Sequence, residues 1–177
     1  MGSLACYNRE ENRLRRKGSA LEIELNWWAP IVLREGRRRE RFIYTPTDDA
    51  IELPNTPGIY IFARQHGDKV NPLYIGRASN LRQRIEQQFC FVPLMKGIQD
   101  VSKGGRVLLL GELAPRRGLR AEKALQVVEE ALIAHALTDG KELLNKQGTR
   151  TPVHTVWNYG NRQSRQIAPL KMTPRRS

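Results

Sequence analysis

Two short strings, Gly58-Ile59-Tyr60 and Tyr74-Ile75-Gly76, constrain the fold of this chain more than any other feature. Each sets a tyrosine beside isoleucine and glycine, a composition suited to a pleated strand that something approaches closely. Between them lie Gly67-Asp68-Lys69 and then Asn71-Pro72, two clusters of turn residues. The pattern predicts an antiparallel pair, strand one over Gly58 to Ala63 and strand two over Leu73 to Gly76. Just before it, Leu53-Pro54-Asn55-Thr56-Pro57 restricts the approach to strand one through its prolines. Just after it, Ser79 or Asn80 can cap a helix running to about Phe89. In that helix Leu81, Ile85 and Phe89 form one apolar stripe, with Arg84 and Gln88 on a neighbouring stripe at its edge.

The rest of the chain is arranged around this centre. Residues 1–52 read as an extension packed on or flanking the core. It holds a charged stretch over Asn8 to Lys17, a period-two strand at Leu21-Glu22-Ile23-Glu24-Leu25, and apolar material at Trp27-Trp28, Ile31 to Leu33 and Phe42 to Tyr44. Arg34 to Arg41 is an arginine run that serves equally as a solvated loop or a phosphate-contacting patch. After the first helix, Phe91 to Gly105 has no clear periodicity and is punctuated by Gly97 and Gly104-Gly105. Arg106 to Leu113 reads as a buried strand and about Leu119 to Leu137 as the longest helix, ended at Asp139-Gly140. Thr151 to Tyr159 has the makings of a late strand. Residues 53–160 thus form the predicted domain, α/β with a small, mostly antiparallel sheet flanked by helices. Residues 161–177 form a basic tail without acids, expected to be partly ordered and to face nucleic acid.

Charge narrows the function. The formal net charge is +12 over 177 residues, which favours a polyanionic partner, because each phosphate contacted releases condensed counterions. No window approaches the ~18 consecutive apolar residues of a membrane span, and the charged start of the chain lacks the apolar region of a secretory signal. The two cysteines, Cys6 and Cys90, are far apart and outside any C-x-x-C pattern. A reducing, cytoplasmic location is the expectation, with neither a zinc site nor a disulfide scaffold.

From roughly Pro57 to Asn145, about half of it, the chain resembles the GIY-YIG nucleases. Four linked pieces carry the resemblance: the two tyrosine strings; Arg84, ten residues after Tyr74 and closing Leu81-Arg82-Gln83-Arg84; a glutamate shortly before Leu132-Ile133; and Asn145 beyond it. The resemblance implies a metal-dependent endonuclease that hydrolyses phosphodiester bonds in DNA. Restriction or antiphage defence, mobile-element processing and toxicity are the settings it implies. The alternative is a non-catalytic nucleic-acid-binding module that keeps the fold.

Helical phase separates the two candidate glutamates. At roughly 100° per residue, Leu125, Val128, Leu132 and Ala136 centre one apolar face; Glu129 falls roughly 60° from that centre and Glu130 roughly 160° from it. Only Glu129 can flank a buried face and reach a cleft. By resemblance, Tyr60 or Tyr74 orients or deprotonates the water, Arg84 stabilises the transition state, Arg77 assists water or phosphate, and Glu129 holds Mg²⁺, for which Mn²⁺ can substitute. Gln88, Asn145 and Arg82 are the candidate substrate-binding residues. Gln88 stands where many relatives carry His or Tyr, and it can hydrogen-bond a phosphate without shuttling a proton. The chemistry suits these residue types. One carboxylate with waters and phosphate oxygens satisfies Mg²⁺, an arginine forks onto two phosphate oxygens, and a tyrosine needs nearby cations to act as a base. His66, in the hairpin loop, His135, on the long helix, and His154 form no second site.

Overall fold

The computed structural model describes residues 22–36, 42–48, 50–101, 103–116, 120–145 and 155–172. Cys6, the charged stretch 8–17, residues 37–41 of the arginine run, His154 and residues 173–177 of the tail lie outside the described residues. In chain order the elements are β1 (Glu22–Trp27), β2 (Ile31–Glu35), β3 (Tyr44–Pro46), β4 (Gly58–His66), β5 (Lys69–Ala78), α1 (Leu81–Cys90), α2 (Val92–Asp100), β6 (Gly105–Leu113), α3 (Ala121–Thr138), β7 (Thr155–Tyr159), α4 (Arg162–Ile167) and β8 (Lys171–Met172).

All the strands join one sheet whose spine is β6. Along one side β6 pairs antiparallel with β4, from Gly58↔Glu112 to Gln65↔Gly105. Its other side is shared by β1, at Leu25↔Leu113, and β2, at Ile31↔Leu108, again antiparallel. Pro30 cannot continue a ladder, so the chain breaks there and the sheet forks. β2 leads on to β3, while β1 pairs in parallel with β7, and β7 pairs with β8. The architecture is α/β, with a mixed, mostly antiparallel sheet flanked by helices. The three strands β1, β2 and β3, expected around the core, are thus hydrogen-bonded into the sheet itself. The short helix and last strand of the tail also pack inward, with Ile167, Ala168 and Met172 buried.

Period-two alternation sorts the central strands onto two faces. Ile59, Ile61, Ala63, Val107 and Leu109 pack with the apolar side of α3 and with Ile167 of α4. Tyr60, Phe62, Leu108 and Leu110 pack instead with Leu81, Ile85 and Phe89 of α1 and with Leu94, Met95 and Ile98 of α2. Asn80 begins α1 as anticipated, its side chain accepting the Gln83 N–H at 3.0 Å.

The β4–β5 hairpin is longer than its turn residues predict. Gly67, at φ +57°, makes the turn, and β5 then runs straight through Asn71-Pro72. Phe62 faces Tyr74 but Ala63 faces Pro72, so Leu73 is an extra residue in a β-bulge. Among the described strands β5 pairs only with β4, and a proline is tolerated on such an outer strand beside a bulge because no described neighbouring strand requires its missing N–H. The bulge has a positional consequence: consecutive residues Leu73 and Tyr74 both meet the α1/α2 face.

Candidate active site

The outer strand β5 draws the site residues together because its side chains serve both faces of the sheet. Tyr74 and Gly76 lie opposite Phe62 and Tyr60 on the α1 side, whereas Arg77 lies opposite Ile59 on the α3 side. The glycine of the second string is required by the tyrosine of the first. A Cβ on Gly76 would stand 2.5 Å from the Tyr60 hydroxyl oxygen, closer than such atoms approach. Gly58 is equally confined, by the Gly111 carbonyl and Leu81. Both strings are therefore packing statements as much as chemical ones.

The two tyrosines stack, with ring centroids 6.0 Å apart and planes inclined by 24°, yet their environments differ. Tyr60 is 0% exposed. Its hydroxyl accepts a hydrogen bond from Gln88 Nε2 at 3.0 Å and lies within the electrostatic reach of the Arg84 guanidinium. Burial pushes its pKa far above the ordinary tyrosine value, Tyr74 adds to the rise, and Arg84 opposes it. Tyr74 is only partly buried and lines a groove with Arg84, Gln87, Gln88 and Phe91.

A second groove is lined by Arg77, Ala78, Ser79, Asn80, Gln83, Arg84 and Gln87. Arg84 and Gln87 are common to both and form the ridge between them. The exposed Arg84 thus presents a permanent cation to each groove. Arg77 enters the second groove and connects it to the opposite face of the sheet, where its Nε lies 3.5 Å from Glu129 Oε2. Its Nη1 is buried without a hydrogen-bond partner among the described residues, donor capacity of the kind that an ordered water or an incoming oxygen ligand takes up.

Glu129 sits where helical phase placed it, at the edge of the buried face of α3. Burial raises its pKa above the ordinary carboxylate value, while Arg77, through its charge and its backbone amide, pulls the other way. Glu130, likewise partly buried, accepts a hydrogen bond from Gln126 at 3.0 Å instead of meeting Arg77. The described residues contain no group of three or more His, Cys, Asp or Glu side chains that could hold a metal ion. One carboxylate is nonetheless compatible with Mg²⁺, which binds through one or two carboxylates and keeps several waters. A partly desolvated carboxylate gains from a nearby cation.

The remaining predicted residues divide. Gln88 is buried and its amide donates to Tyr60, so it holds the first tyrosine as well as bordering the groove. Asn145 acts on the backbone of the second string: it accepts from the Ile75 N–H at 3.2 Å and donates to the Ile75 carbonyl at 2.6 Å. With the Leu144 N–H donating to the Leu73 carbonyl at 2.7 Å, this segment covers the outer edge of β5. Arg82 stands apart from both grooves and pairs with Glu86 at 3.3 Å on the helix exterior. His66 is exposed, and His135 lies 3.6 Å from Asp139. Gln83 and Gln87 were missed by sequence reasoning. The available signal was spacing, since Asn80, Gln83, Arg84 and Gln87 recur every three or four residues along one helix face.

Against known proteins the chain shows a short, close likeness. Over 42 residues it is 55% identical to UvrABC system protein C of Deinococcus radiodurans. That stretch is 24% of this chain and 6% of the relative, so the chain spans only a small fraction of the protein it matches. No family model matches the chain, and no solved structure matches it.

Proposed function

We propose that this protein is a metal-dependent endonuclease of the GIY-YIG type that hydrolyses phosphodiester bonds in DNA. The observation that carries the reading is the shared ridge. Arg84 borders the groove of Tyr74 and the groove of Arg77, and Arg77 leads to the carboxylate of Glu129. The local identity to UvrABC system protein C supports the same class.

The scissile phosphate lies against Arg84, whose guanidinium neutralises charge that builds on the phosphoryl oxygens in the transition state. Tyr74 handles the attacking water, because its ring lines the groove while Tyr60 is sealed beneath it. Tyr60, accepting from Gln88 and stacked on Tyr74 within reach of the Arg84 charge, keeps that arginine and the neighbouring ring in place. Arg77 spans the phosphate side and the carboxylate side. Glu129 would hold Mg²⁺, which supplies Lewis-acid stabilisation of a phosphoryl or leaving oxygen when bound. The net charge of +12 supplies the sequence-independent grip on the strand.

The test is cleavage of supercoiled plasmid and of single-stranded, duplex and branched oligonucleotides with Mg²⁺, Mn²⁺ or EDTA. Metal-dependent cuts on at least one substrate are expected. Intact substrates throughout would remove the enzyme reading and leave a nucleic-acid-binding module.

A further inference from the structure

The corner between α1 and α2 carries an aromatic ring that the hydrolytic chemistry leaves unused. The run Phe89 to Met95 is largely apolar, and Phe89, Leu94 and Met95 go inward, closing the α1/α2 face of the core. Phe91 and Val92 do not: they are 54% and 50% exposed. A single exposed apolar residue requires no explanation. Here, however, two are adjacent, and Phe91 lines the same groove as Tyr74, Arg84 and Gln87.

The ring is also held on a rigid base. Phe91 is the junction residue of both helices, its N–H donating to the Gln88 carbonyl at 3.0 Å and its carbonyl accepting from the Met95 N–H at 3.2 Å. The side chain therefore projects from backbone fixed at both ends, just beyond the turn that holds Gln88 against Tyr60.

We propose that Phe91 is a stacking platform for an unpaired nucleobase next to the phosphate that Arg84 engages. The inference rests on the nucleic-acid reading of this groove and narrows it to a strand with an unpaired base beside the cut. The occupant is argued from what surrounds the ring. A permanent cation stands in the same groove, on a chain of net charge +12, so a ligand covering the ring must combine a flat apolar face with an anionic group. A nucleotide does so, and stacking accepts any base because every base has a π-face. A base inside a duplex keeps both faces covered by its neighbours, so the platform acts on one that is unpaired or flipped out. Gln87 stands beside the ring with a free choice of donor or acceptor toward a base edge or a phosphate.

The test reads stacking without cleavage. A single-stranded oligonucleotide carrying 2-aminopurine is titrated with the full chain in EDTA, in parallel with the same sequence as a perfect duplex. Saturable quenching on the single strand is expected for the wild type and for Phe91→Tyr, which keeps a ring. Phe91→Ala and Phe91→Leu should lose the quench and weaken single-strand binding about 5- to 150-fold, the range of one lost base–aromatic stack. Duplex binding should change far less, and thermal melting should show all variants folded. Absence of quenching in the wild type overturns the proposal, as does full quenching by Phe91→Leu or an equal loss of duplex and single-strand affinity. Cleavage in Mg²⁺ by the same preparations is scored separately. Cleavage without quenching removes the platform alone; quenching without cleavage removes the nuclease reading alone.

Discussion

Arg106 and Arg77 lie on strands of the same sheet and use their guanidinium groups in opposite ways. Arg106 is buried and fully engaged: it donates to the carbonyls of Ile98 at 2.9 Å, Gly104 at 2.6 Å and Val101 at 2.8 Å, with Gln99 at 3.4 Å. It thereby ties the end of α2 to β6. Elsewhere in the sheet, Asn158 is similarly committed, accepting from Trp27 Nε1 at 3.3 Å and donating to the Pro169 carbonyl at 2.8 Å. Arg77 has a long contact to Glu129 at 3.5 Å and an Nη1 with no partner among the described residues, while Arg84 stands exposed between two grooves. The difference is one of commitment: Arg106 and Asn158 spend their hydrogen bonds on fixing the fold, whereas Arg77 keeps donor capacity beside Glu129 and Arg84 keeps its charge open to both grooves.

That contrast can be broken by substitution. Glu129→Gln should have the largest effect, a loss of about a thousandfold or more in cleavage, the equivalent of several kcal/mol of metal-derived stabilisation. Its effect on folding should run the other way. Because burial raises the Glu129 pKa, the folded state prefers the neutral acid, a contribution present at low pH and lost as pH rises through the folded value. In EDTA near neutrality the glutamine variant should therefore be the more stable protein, with the gain vanishing below the ordinary glutamate range. Denaturant unfolding at two pH values checks the sign, and a gain that persists at low pH would contradict it.

The tyrosines sharpen the comparison next. Tyr74→Phe should slow cleavage by about 10²–10⁴-fold, the usual contribution of a proton-handling group. Tyr60→Phe should cost distinctly less in rate, since a sealed hydroxyl whose pKa is pushed up by burial holds its neighbours rather than meeting water. Rates in single-turnover cleavage decide this, and an equal or reversed order would return Tyr60 to the water. Arg106→Ala, on the structural side, should destabilise the fold by about 3 kcal/mol by orphaning buried carbonyls. At temperatures where it remains folded its cleavage rate should stay within a few-fold of wild type.

Much of the candidate site's geometry was legible in the sequence because its pieces are local. The tyrosine strings announce strands and Asn80 announces a cap, while what sets Glu129 apart from Glu130 in the structure is its contact with Arg77. What was hidden depends on contacts distant in sequence. Leu21 to Leu25 reads as an isolated strand, since nothing local reveals that Leu25 pairs with Leu113 or that Asn26 pairs with Tyr159. The helix α2 was unreadable because Pro93 and Gly97 look like breakers. Pro93 sits in the first turn, where its missing N–H costs nothing, and Gly97 is where Leu144 packs, 3.3 Å from a would-be Cβ. Asn145 was expected to bind substrate, whereas its two hydrogen bonds to the Ile75 backbone emerge only once the chain after α3 returns to β5.

Two arginines two positions apart in α1 provide the most direct test of the central claim, that the site is the pair of grooves divided by Arg84. Cleavage of one oligonucleotide in Mg²⁺ is measured for Arg84→Ala and Arg82→Ala, proteins of equal charge. Arg84→Ala should lose about 10²–10³-fold in rate, as for removal of one transition-state donor, whereas Arg82→Ala, whose partner is Glu86, should stay within a few-fold of wild type. Equal losses, or a larger loss at Arg82, would contradict the account.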